Sequence, residues 1–208
     1  MKKFIGIVFI FAIISCEAQV EDTNKVEIKT DKKMEIATLG AGCFWCIEAI
    51  FSELKGVETV ESGYMGGEIK NPTYREICSG TTGHAEVAKI TYDPAVVKYE
   101  EILEIFFKIH DPTTLNRQGA DAGTQYRSAI FYHSESQKTK SQYIIQALDE
   151  VGAWEDPIVT EVTEASHFYK AEDYHQNYME NNSGQGYCRM VIRPKLEKFR
   201  EVFKDKLK

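Results

Sequence analysis

The chain has 208 residues, of which 43% are hydrophobic and 27% charged, with a net charge of -7. That length predicts one domain with extensions and is enough to bury a core without a disulfide framework. The acidic balance, with no cluster of Lys and Arg, excludes an electrostatic nucleic-acid surface, because neutralising phosphates needs a surplus of cations on one face.

Lys2 and Lys3 precede an apolar run from Phe4 to Ile14 that is short for a bilayer span and has the layout of a secretory signal peptide. Ser15 and Cys16 close the run as in a bacterial lipobox, so residues 1–16 are expected to be a signal peptide, with Cys16 lipidated and the rest of the chain extracytoplasmic. A plain signal peptide or an uncleaved anchor is the alternative. Residues 17–33 are charge-rich and lack aromatics, which predicts a flexible tether, and a single catalytic domain is expected over 34–208.

Within that domain Glu35 to Gly40 predicts a strand, and Ile47, Ile50, Phe51 and Leu54 have helical spacing over Phe44 to Lys55, stopped by Gly56. Val57 to Met65 alternates as a strand, and a second strand runs from Gly83 to Asp93-Pro94. Tyr99 to His110 predicts a helix, Ser128 to His133 a strand, Ser134 to Glu150 a polar helix and Ile158 to Val162 a strand. Phe168 to Arg189 is crowded with Tyr, Asn and Gly, which predicts a mobile segment. Pro194 to Lys208 predicts a final helix packed back on the domain. The order β-α-β-β-α-β is the split βαβ order of an α+β ferredoxin-like plait, with extra helices and helices packed on one face of the sheet.

The cysteines are Cys16, Cys43, Cys46, Cys78 and Cys188. Setting Cys16 aside leaves an even number, so paired disulfides are arithmetically open. Cys43 follows Gly-Ala-Gly at a strand-to-helix junction, where free N–H groups and the helix dipole favour a thiolate, the nucleophilic form. Cys46 completes a C-x-x-C pair, so a general thiol-disulfide oxidoreductase using Cys43 and Cys46 is one reading. A non-enzymatic lipoprotein with structural bridges is another. No metal is expected, because His84, His110, His133, His167 and His175 are scattered and no second C-x-x-C exists. No phosphate loop, haem motif or dinucleotide fingerprint is present, so no cofactor is expected and electrons must arrive by thiol exchange.

The stretches GCFWC, SGYMGG, NPTYREICSGTTGHAEVAKITYDP, HDPTTLNRQGADAGTQYRSAI and GYC, in this order from about Ala37 to Cys188, together resemble the A-type peptide methionine sulfoxide reductases. The resemblance implies a ferredoxin-like plait and reduction of methionine S-sulfoxide, free or in oxidised proteins, as a repair activity. It implies Cys43 as the nucleophile that leaves as a sulfenic acid, and Glu86 as the acid that protonates the sulfoxide oxygen. Tyr74 and Tyr126 would hydrogen-bond that oxygen, Asp121 would orient water or the substrate amide beside the pocket, and Phe44, Trp45 and Tyr187 would form the substrate site. Cys188 matches the recycling cysteine. Cys46 departs from the common glycine at its position. The expected order has Cys188 resolving first, with Cys46 as relay or backup; Cys46 acting first is the alternative. Cys78 is expected to be a buried structural thiol. A thioredoxin-like reductant, a monomeric state and membrane contact only through the lipid on Cys16 complete the expectations.

Overall fold

The computed structural model of the protein describes residues 33–208; the expected leader, Cys16 and nearly all of the tether lie outside them. Chain order is β1 (Glu35–Ala41), α1 (Phe44–Ser52), β2 (Val57–Met65), α2 (Tyr74–Cys78), β3 (Ala85–Tyr92), α3 (Tyr99–Ile109) and the two-residue strands β4 (Arg117–Gln118) and β5 (Asp121–Ala122). It continues with β6 (Ser128–Tyr132), α4 (Glu135–Glu150), β7 (Glu161–Glu164), β8 (Tyr169–Lys170), α5 (Tyr178–Asn181) and α6 (Arg193–Val202).

The main sheet runs β7-β6-β1-β3-β2-β8. Its middle, β6-β1-β3-β2, is the antiparallel order of the expected plait; β7 joins the edge parallel to β6, and β8 closes the other edge against β2. Period-two alternation sorts the side chains between faces. Ala37 and Leu39 of β1, Ala88 and Ile90 of β3 and Ile130 of β6 join α1, α3 and α6 in the larger core, while Ala85, Val87, Ala129 and Phe131 face the other side. Ile47, Ile50 and Phe51 of α1 and Ile102 and Phe106 of α3 are completely or almost completely buried, each worth about 1.5–3 kcal/mol of transfer free energy. This alternation puts Glu86 on the helix-covered face, cross-strand from Tyr64, at the end of β3 where α1 begins.

The structure departs from the sequence expectations locally. The last helix stops at Val202, and Leu207 instead forms a bridge with Leu54. The strand expected over Ile158 to Val162 starts later, because the N–H groups of Ile158 and Val159 are taken by the Asp149 carboxylate and the Pro112 carbonyl; pairing with β6 begins at Glu161. Helix α2 was not anticipated, although Thr73 and Glu76 form a full capping box around its first turn. The segment expected to be mobile is irregular but tied down: Glu48 accepts the Asn177 and Tyr178 N–H groups, and Gln176 bonds both backbone groups of Ser62.

Candidate active site

Cys43 is the residue immediately before α1, preceded by Gly42 at φ +84°. A side chain at position 42 would meet the Gln118 Cβ at 2.6 Å, so glycine is needed both for the backbone conformation and for the close approach of the β4 region. This tight entry turns the chain so that Cys43 and Phe44 face β3 and the C-terminal segment. Cys43, Phe44, Cys46, Tyr64 and Cys188 are buried in one cluster, with Trp45, Tyr74, Tyr126, Tyr178 and Tyr187 packed partly buried against it.

Glu86 is buried, and its Oε2 accepts the Phe44 N–H at 3.1 Å, one of the free donors of the α1 start. That bond favours the ionised carboxylate, but burial outweighs it and pushes the Glu86 carboxyl up to about 8. Because Oε2 is occupied as an acceptor, the acid proton belongs on Oε1, which is buried without a hydrogen-bond partner. The cluster therefore holds a neutral acid at neutral pH with its donor oxygen uncommitted.

Burial first, then the hydrogen bond to Cys46 and the field of Glu86, raises the Cys43 thiol well above its ordinary range. Cys46 is drawn down, chiefly because Cys43 donates to it and then because the Lys195 ammonium acts on it. Proximity to the helix start therefore does not by itself make Cys43 the more acidic thiol. Tyr187 donates to Asp121 Oδ2 at 2.7 Å and reaches both thiols, and its phenol is pushed upward by burial and by those neighbours. Tyr74 and Tyr126 are also raised, by burial and then by Glu86, and stay protonated donors.

Phe44 stacks on Tyr74 with ring centroids 6.5 Å apart, and Trp45 stacks on Tyr178 at 3.6 Å and 8°. The Trp45 indole N–H donates to His175 Nδ1 at 3.2 Å. Glu172 accepts both the Tyr64 hydroxyl and the Tyr74 N–H. Glu172, His175 and Tyr178 also shape the site, and the crowding of Tyr and His over Phe168 to Arg189 is the sequence signal for them; Glu48, on α1, anchors that segment and has no local signal. Thus the structure brings together Cys43, Cys46, Glu86, Tyr74, Tyr126, Asp121, Phe44, Trp45, Tyr187 and Cys188. Cys188 opens a π-helical turn (Cys188–Ile192) and is fully buried beside Cys46. All four described cysteines are free thiols. Cys78 corrects its expectation: it is exposed at the end of α2, a short helix that buries only Ile77, and it lies near the Tyr74 hydroxyl.

A family model described as peptide methionine sulfoxide reductase matches residues 35–207. The chain belongs to this family. Peptide methionine sulfoxide reductase MsrA of Natronomonas pharaonis is 56% identical over 171 residues, covering 82% of this chain and 96% of that protein. The MsrA of Deinococcus radiodurans is 49% identical over 191 residues, covering 92% and 93%. Among solved structures, reduced Mxr1 from Saccharomyces cerevisiae has a TM-score of 0.69 at 35% identity, covering 75% of this chain and 90% of that one. Methionine sulfoxide reductase A of Corynebacterium diphtheriae has a TM-score of 0.66 at 37% identity, covering 76% and 78%. The chain is thus an oxidoreductase of the methionine sulfoxide reductase A type, and methionine sulfoxide reduction by cysteine chemistry is its activity.

Proposed function

We propose that the protein reduces the S epimer of methionine sulfoxide in oxidised proteins through Cys43. The observation that carries this reading is the neutral, buried Glu86 with an unpartnered Oε1 beside the Cys43 turn. The Cys43 sulfur attacks the sulfoxide sulfur as its thiol proton passes to Cys46, Glu86 Oε1 delivers a proton to the sulfoxide oxygen, and Tyr74 and Tyr126 donate to that oxygen as charge builds on it. Oxygen passes to the Cys43 sulfur, methionine leaves reduced and Cys43 leaves as a sulfenic acid. Phe44 and Trp45 supply aromatic faces for the sulfur-bound methyl group. Asp121, held by Tyr187, lies beside the thiols where it can orient the substrate amide or water.

Condensation of the sulfenic acid with a second thiol forms a disulfide and releases water. Cys46 is the hydrogen-bond partner of Cys43, whereas Cys188 interacts with Cys46. These electrostatic couplings support the order Cys43 to Cys46 to Cys188, the reverse of the order expected from the sequence. A thioredoxin-like dithiol then reduces the final disulfide; one of the similar solved structures is Mxr1 in complex with Trx2, at 26% identity. Cys188 is fully buried in the reduced protein, so this exchange requires the C-terminal segment to open. The protein acts as a monomer outside the cytoplasm, anchored through a lipid on Cys16; Lys2, Lys3, the apolar run and Ser15-Cys16 support this location.

The test is reduction of separate S and R sulfoxide epimers of a blocked methionine with dithiothreitol as electron source. Only the S epimer is consumed, and Cys43→Ser abolishes it. Reduction of neither epimer by folded protein with intact thiols would sink the reading in favour of dithiol exchange. With a thioredoxin-type reductant, full turnover by Cys46→Ser would overturn the recycling order.

A further inference from the structure

A cavity of about 510 Å³ lies between α3, α6 and the loop after α4, and Cys43 is not among its lining residues. Phe107, Trp154, Phe199 and Phe203 give it aromatic walls. Lys108, Lys195 and Lys198 also line it; the last two are three residues apart and so share one face of α6. None of these three lysines makes a hydrogen bond or ion pair among the described residues, whereas Lys89, Lys140 and Lys206 are all paired. One carboxylate, Asp111, lines the cavity, and its Oδ1 accepts the N–H and hydroxyl of Thr113. His110, also in the lining, is pushed down to about 4 by burial and adds no charge at neutral pH. In a chain of net charge -7, the lining is therefore locally cationic.

A mixed lining of aromatic and charged groups at a cavity of this size suits a small molecule rather than a protein face. Aromatic surface offers burial, and unpaired ammonium groups offer attraction to an anion that loses little on partial desolvation. We propose that this cavity binds a small organic anion with a flat apolar body, such as an aromatic carboxylate or sulfonate, and that its charge is sensed at Cys46 through Lys195. The link is geometric as well as electrostatic: Lys195 lines the cavity from α6, which packs against the α1 helix that carries Cys46, and its ammonium acts on the Cys46 thiol. Gln118 adds mechanical continuity, since it lines the cavity while its Cβ packs on Gly42 beside Cys43. The coupling rests on the recycling role of Cys46 proposed above; the binding site does not.

The full chain is titrated with 8-anilinonaphthalene-1-sulfonate, and with neutral N-phenyl-1-naphthylamine as the uncharged control. One saturable site is expected for the sulfonate, at least tenfold tighter than the neutral compound, with at least tenfold loss in the Lys195→Met/Lys198→Met double variant. Because Trp154→Ala risks misfolding, exposed Lys198→Glu is the companion variant, and it should weaken the sulfonate alone. Absence of saturation, equal binding of the neutral compound, or unchanged affinity in the lysine variants overturns the site. Displacement by an acidic peptide at equal affinity overturns the small-molecule assignment. Saturating sulfonate should slow turnover with a dithiol at least threefold and leave single-turnover reduction by prereduced protein unchanged. Unaltered turnover overturns the coupling. Failure of the reductase reading would show instead as no methionine formed with the cavity empty.

Discussion

Replacing Glu86 by Gln separates acid catalysis from geometry at the one carboxyl with an uncommitted oxygen. The amide keeps an acceptor for the Phe44 N–H and the shape of the neutral acid, but it has no proton to transfer. General acid catalysis is worth about a hundredfold to ten-thousandfold, so single-turnover formation of methionine should fall by that amount. The acid limb of the wild-type rate should fall above pH about 8, because Glu86 loses its proton there. The same substitution carries a stability signature. The folded carboxyl sits at about 8 against an ordinary 4.5, so between those values the folded state holds a proton that the unfolded state has released, and stability declines as pH rises. At about 1.4 kcal/mol per pH unit, the interval from 4.5 to neutrality costs the wild type about 3 kcal/mol relative to Glu86→Gln, while near pH 4 the two should unfold alike. Rapid-quench kinetics and urea unfolding at both pH values read these effects. A variant that kept its single-turnover rate, or gained no stability at neutral pH, would remove Glu86 as the proton donor.

Further outcomes follow from other parts of the structure. Gly42→Ala should destabilise the domain by about 1–3 kcal/mol in thermal or urea unfolding, because its Cβ lands 2.6 Å from Gln118 in a left-handed conformation; an unchanged midpoint would show that the Cys43 turn relaxes freely. Among the four described cysteines, Cys78 should react first with a bulky thiol reagent in the native protein, since Cys43, Cys46 and Cys188 are buried; mass spectrometry of the labelled peptides checks the order. Glu48→Ala should cost about 1–3 kcal/mol, because it leaves the N–H groups of Asn177 and Tyr178 without their acceptor. It should also raise hydrogen exchange at those two amides, which a purely local packing loss in α1 would not do.

The sequence by itself determined the plait, because the strands and helices that build it carry long periodic patterns: β1, β2, β3, β6, α1 and α3 all fall where alternation or helical spacing placed them. Resemblance to the family's motifs pointed to Cys43, Glu86, Tyr74, Tyr126 and Cys188, and the fold gathers these residues around one cluster. Elements of two residues, β4, β5 and β8, have no period to read and exist only because a partner strand lies alongside. Tertiary structure alone decided the chemistry of the groups. Burial in the closed cluster, which no local pattern encodes, lifts Glu86 to about 8 against the pull of the α1 start, and it outweighs the helix dipole at Cys43. It likewise decided that Cys43, Cys46 and Cys188 share one buried cluster while Cys78 faces solvent, because these depend on which surfaces the folded chain covers.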